Sequence, residues 1–142
     1  MNDKIKQLYK TVIIQHNKHP YHFEQVTNPP HTVQGNNPLC GDRFDVYLAE
    51  APDPLQQLHF HGFGCAISKA SASLMVQLLE GKSQAEALTM CEAFLSYLDD
   101  EALLPQLPHT DLEAFGAVHQ HPARKDCAAL TWRAMHDYLT NQ

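Results

Sequence analysis

Residues 43–81 read RFDVYLAEAPDPLQQLHFHGFGCAISKASASLMVQLLEG. The first stretch alternates. Phe44, Val46 and Leu48 fall on one side and Arg43, Asp45 and Tyr47 on the other, which predicts a half-buried strand over 43–49. Ala51-Pro52-Asp53-Pro54 is turn material. Residues 56–63 alternate again, with Leu58, Phe60 and Gly62 on one face and His59, His61 and Phe63 on the other. Two strands around a proline-rich turn predict an antiparallel hairpin. At residue 66 the period changes from two to that of a helix. Ile67, Ala70, Leu74 with Met75, and Leu78 form one stripe, and Gly81 closes the helix.

Helical signals extend in both directions. Ser83-Gln84-Ala85-Glu86 is a capping box opening a helix through Leu88, Cys91, Leu95 and Leu98. Upstream, Asp3 caps a helix over 3–17, with Ile5, Leu8, Val12 and Ile13 in register, and His19-Pro20 ends it. Residues 20–41 are polar and rich in proline, asparagine and glycine, and read as irregular. Thr110-Asp111-Leu112-Glu113 starts a short helix. Pro122 starts the last one, which carries Cys127, Leu130, Ala134 and Tyr138. Strands grouped apart from helices predict an α+β fold, a small antiparallel sheet of about three strands packed on one face by helices. At 142 residues, one domain over 1–142 is expected.

The formal charge is −6, and no basic block or Lys/Arg-rich helix face marks a nucleic-acid binder. Met1 to Lys10 lacks the apolar run of a signal peptide, and no stretch reaches the roughly 18 apolar residues of a membrane span. The chain therefore reads as cytoplasmic and, lacking a coiled-coil pattern, as a monomer. In a reducing compartment its four cysteines are ligands or reactive thiols more often than disulfides, although an even count also suits two bridges.

The cysteines differ in setting. Cys91 shares a helical stripe with leucines and reads as an inert core thiol. Cys40 sits in the turn Pro38-Leu39-Cys40-Gly41-Asp42. Cys65 follows Gly62-Phe63-Gly64, at the positive end of a helix, where thiolate is favoured. Cys127 stands beside Arg124 and Lys125, whose charges push the same way. Three thiolates with Asp42 would form a soft donor set suited to zinc or an iron–sulfur cluster. The gaps are long and no C-x-x-C pair occurs, so spacing leaves scattered buried cysteines as an equal alternative. Ten histidines add possible ligands, among them His59, His61, His119 and His121, most of which are expected to be ordinary surface or hydrogen-bonded residues.

Local words go further than spacing. Asn37-Pro38-Leu39-Cys40-Gly41-Asp42, Gly62-Phe63-Gly64-Cys65-Ala66-Ile67-Ser68 with Ser71-Ala72-Ser73, and Pro122-Ala123-Arg124 with Cys127-Ala128 and Trp132 resemble the SufU branch of the IscU/NifU-type iron–sulfur assembly family. In the scaffold branch, a histidine directly precedes the third cysteine. Asp126 stands there in this chain, and the segment around 99–121 is longer. Both departures match SufU. The resemblance implies a SufE/NifU-like fold and zinc held by Cys40, Asp42, Cys65 and Cys127. It implies Cys40 as acceptor of persulfide sulfur from a SufS-type, pyridoxal-phosphate cysteine desulfurase, and Arg124 as a contact to that partner. Downstream iron–sulfur scaffold proteins would receive the sulfur. Two alternatives remain: a scaffold building a [2Fe–2S] cluster on the same residues, and a non-catalytic, zinc-stabilised interaction module. The 99–121 segment reads as a docking element or a loop.

Overall fold

A computed structural model describes residues 3–39, 41–50 and 52–141. Three strands, β1 (His31–Asn37), β2 (Asp42–Leu48) and β3 (His59–Phe63), form an antiparallel meander in the order β1-β2-β3. The hairpin of β2 and β3 is the predicted one, with Val46 opposite Phe60. Phe44, Val46, Leu48 and Phe60 face the core, as their alternation requires. Tyr47, expected on the open side, is also buried.

β1 corrects the reading of 20–41 as irregular. His31-Thr32-Val33-Gln34-Gly35-Asn36-Asn37 carries a single branched apolar residue and poor strand formers. It is a strand because β2 pairs with it along its whole length, from His31 opposite Leu48 to Asn37 opposite Asp42. Gly35 is needed for another reason. A Cβ there would press on the Leu130 side chain and carbonyl at 3.2 Å, so the last helix lies directly on this strand.

The N-terminal helical run is α1 (Asp3–Leu8), a π-helical stretch (Tyr9–Ile14) and α2 (Gln15–Lys18). The wide turn seats Val12 and Ile13 in the core. The chain then passes along the outer edge of β3, where Glu24 N–H donates to the Phe60 carbonyl and Phe60 N–H to that of His22. This covers an edge that would otherwise offer unpaired backbone groups.

α3 (Ala66–Leu79) is the central helix. It ends at Gly81, whose φ of +87° is readily adopted only without a side chain. α4 (Gln84–Asp99) opens with the predicted Ser83–Glu86 capping box. The segment around 99–121 is not a plain loop, although residues 99–110 are mostly exposed and the first of its two short helices buries none of its residues. It forms two 3-10 helices, Glu101–Gln106 and Thr110–Val118, and the second buries Leu112, Phe115 and Val118. α5 (Pro122–Thr140) packs across α3, α4 and β1, with Pro122 in its first turn as expected.

α3 also buries serines, and their hydroxyls are matched. Ser71 Oγ donates to the Ala128 carbonyl at 2.6 Å and accepts from Trp132 Nε1 at 3.0 Å, tying α3 to α5. Ser73 Oγ accepts from Tyr21 N–H at 2.8 Å and lies 2.7 Å from His16 Nδ1. A neutral His16 can accept the Ser73 proton. A protonated one cannot, and burial holds the His16 pKa below its usual 6.5, with Asp111 opposing in part. A lowered folded pKa means that the unfolded chain binds the proton first as pH falls. This stabilisation is therefore complete above about pH 6.5 and is lost on acidification through the lowered value. Urea midpoints taken between pH 7.5 and 5 should fall, and His16→Gln, which keeps an acceptor but does not titrate, should flatten the slope.

Candidate metal centre

The site forms where the starts of three elements meet. Asp42 opens β2, Cys65 caps α3 and Cys127 lies in the second turn of α5. One ligand atom from each lies within 4.8 Å of the others. Cys40, expected as a fourth member, lies outside the described residues. Cys91 is absent from the group, fully buried on α4, with its thiol pushed up to about 12 by burial, as expected of an inert core cysteine.

Each position has a local cause. The Asn37–Gly41 turn, closed by Gly41 N–H to the Asn37 carbonyl at 2.8 Å, leads directly into Asp42. Asp42 is 5% exposed. Its Oδ1 accepts the backbone N–H of Cys65 at 3.2 Å, while its Oδ2 is buried with no hydrogen-bond partner among the described residues. An orphaned carboxylate oxygen is costly unless a cation answers it. At Cys65 the sulfur takes the capping position and accepts the Ser68 N–H at 3.5 Å. Gly64 makes room: a Cβ there would sit 2.5 Å from Ser68 Oγ, 2.8 Å from the Phe44 ring and 2.9 Å from Asp42 Cγ. At Gly62 a Cβ would meet the Arg43 carbonyl at 2.1 Å. The glycines of Gly62-Phe63-Gly64 thus let β3 pass close over β2 and bring Cys65 onto Asp42.

Cys127 corrects the expectation drawn from its basic neighbours. Its thiol is pushed up, first by burial, then by Cys65 and Asp42 beside it. Lys125 reaches instead toward Asp99, at 3.9 Å. Arg124 stands within the first turn of α5 and is exposed. Two sulfurs and a carboxylate held together repel one another once ionised. A divalent cation turns that repulsion into binding, and two soft donors with one oxygen suit zinc or iron.

A concavity of about 490 Å³ opens beside the cluster, lined in part by Cys65, Cys127, Ile67, Tyr9, Arg124 and Asp126. Leu39, 96% exposed, also lines it, and Phe63, 67% exposed, stands two residues before Cys65. Tyr9 carried no signal in the sequence, because only folding brings the N-terminal helical run to this rim. The four histidines stand apart from the ligand group. His59 pairs with Glu24, His61 packs on the Phe23 ring, and His119 bonds the Tyr97 carbonyl. His121 precedes α5 and is exposed.

The sequence profile of the NifU-like N terminal domain matches residues 8–140. The zinc-dependent sulfurtransferase SufU of Bacillus subtilis is 37% identical over 134 residues, 94% of this chain and 90% of that protein. The iron–sulfur cluster assembly scaffold protein IscU of Streptococcus pyogenes is 33% identical over 136 residues, 96% of this chain and 85% of that one. In three dimensions, the N-terminal NifU-like protein of Brucella abortus superposes with a TM-score of 0.76 over 94% of this chain and 92% of that one. At 22% identity that likeness speaks for the fold alone.

Gly64→Ala should displace the Asp42 carboxylate and loosen metal binding more than folding. Overpacking of this kind costs about 1–3 kcal/mol of stability. Chelator competition with Zn²⁺, set beside a thermal melt, separates the two effects.

Proposed function

The chain belongs to the NifU-like N-terminal domain family and is an iron–sulfur cluster assembly protein, and within that work we propose that it is a zinc-holding acceptor of sulfur. The observation that carries the proposal is the buried Asp42 Oδ2, without a hydrogen-bond partner among the described residues, beside the sulfurs of Cys65 and Cys127. The B. subtilis relative named for zinc-dependent sulfur transfer supports it. Asp42, Cys65 and Cys127 would hold the ion together with Cys40. Bound zinc would keep the thiols as thiolates near neutral pH.

Cys40 is the proposed acceptor, and a pyridoxal-phosphate cysteine desulfurase of the SufS type is the proposed donor. The donor's persulfide has an electrophilic outer sulfur. The Cys40 thiolate attacks that atom, the donor's S–S bond breaks, and the donor cysteine departs as thiolate, leaving the persulfide on Cys40. The acceptor lies between Leu39 and the Gly41-Asp42 pair, so the exposed Leu39 side chain is among the first surfaces a donor meets. Arg124, exposed and lining the same concavity, is the proposed polar contact to the donor.

A second reading draws on the IscU relative, a scaffold protein by name. The same donor set could carry a [2Fe–2S] cluster as cargo. Elemental analysis of the purified protein decides between them: zinc in a colourless protein supports sulfur acceptance, and iron with visible absorption after anaerobic reconstitution supports the scaffold.

Cys40→Ala is expected to abolish stimulation of desulfurase turnover while leaving the far-ultraviolet dichroism unchanged. Stimulation equal to that of the unsubstituted protein would remove Cys40 from the acceptor role. Asp42→Ala is expected to weaken zinc in chelator competition.

A further inference from the structure

We propose that the hydroxyl of Ser68 is a positioning group for the Cys65 sulfur, donating a hydrogen bond to that sulfur when it ligates a metal. The proposal rests on the metal-holding reading of Asp42, Cys65 and Cys127, and extends it to a residue that binds no metal itself.

Ser68 is 1% exposed, in the first turn of α3. Its backbone N–H donates to Cys65 Sγ at 3.5 Å, and its Oγ lies 3.6 Å from the same sulfur. With Cys65 as a thiol, the S–H donates to Ser68 Oγ, and Ser68 Oγ–H donates to the Cys65 carbonyl at 3.1 Å. That carbonyl has a second donor, the N–H of Lys69 at 3.0 Å. A sulfur that ligates a metal carries no proton, and the balance changes. The S–H donor is gone, the sulfur becomes a strong acceptor, and the carbonyl stays satisfied by Lys69. A rotation of the hydroxyl then gives the thiolate a second hydrogen bond without leaving any buried group unpaired.

The hydroxyl has little freedom to do otherwise. The Gly64 Cα faces it so closely that a Cβ would approach within 2.5 Å, and the same missing Cβ would touch the Asp42 carboxyl carbon at 2.9 Å. Gly64, Asp42, Cys65 and Ser68 therefore pack as one unit. Asp42 fixes the Cys65 backbone through Oδ1, and Ser68 fixes its sulfur. Hydrogen bonds to a metal-bound thiolate lower its donor strength and hold its direction.

The test uses the full chain loaded with Co²⁺, whose sulfur-to-metal charge-transfer bands report thiolate donor strength. Ser68→Ala keeps the backbone N–H cap, and Ser68→Thr keeps both the cap and the hydroxyl. The bands should move to longer wavelength in the alanine variant, because an unbonded sulfur gives up its electron more readily, and stay near those of the unsubstituted protein in the threonine variant. Alanine-variant bands coincident with the unsubstituted protein would overturn the assignment. Failure of both variants to bind Co²⁺ would also overturn it, since a group that only tunes the sulfur is not required for binding. Absence of thiolate bands in the unsubstituted protein would instead remove the metal reading beneath it.

Discussion

The hydrogen bond from the backbone N–H of Cys65 to Asp42 Oδ1 joins the start of β2 to the start of α3. A buried carboxylate is costly unless its oxygens are answered, and here the helix terminus answers one of them. The second oxygen, unmet among the described residues, points the cluster toward a cation. Most features near the site serve this junction. Gly62 and Gly64 let the strands and the helix start approach, and Phe44 packs below. α5 brings Cys127 in from the other side.

The same junction explains why the thiols are poor without a metal and suitable with one. Burial and neighbouring acidic groups push the Cys127 thiol up, and no basic side chain is paired with it among the described residues. Its two nearest charged residues on α5 go elsewhere, Lys125 toward Asp99 and Asp126 to Arg133 at 3.1 Å. A centre of this kind would gain its thiolates from a bound ion. A reactive-cysteine site built on local cations would titrate independently of any ion.

Much of this was legible in the sequence. The β2–β3 hairpin, α3 with its Gly81 stop and the Ser83–Glu86 box follow from alternation and capping, which are local properties. β1 was not legible, because its strand character comes from pairing with β2 and from Leu130 over Gly35. The 3-10 helix Thr110–Val118 was foreseen only as a short helix, and its burial depends on partners distant in sequence. At the site, Cys65 was readable from its position at a helix start, while Asp42 entered through its place beside Cys40 and the family resemblance. The surroundings of Cys127 were not readable, since charge beside a residue in sequence says little about where side chains point once a helix forms. Nor could Tyr9 be foreseen as lining the concavity.

Ser71 has a consequence beyond satisfying Trp132. Its hydroxyl grips the α5 backbone at Ala128, the residue after Cys127, and it lies six residues beyond Cys65 on α3. The spacing between the two sulfurs is therefore fixed by the core. Binding or release of an ion there would then need little refolding of the chain, and the ordering entropy is spent once, when the protein folds. A frame of this kind does not relax between one state of the site and the next.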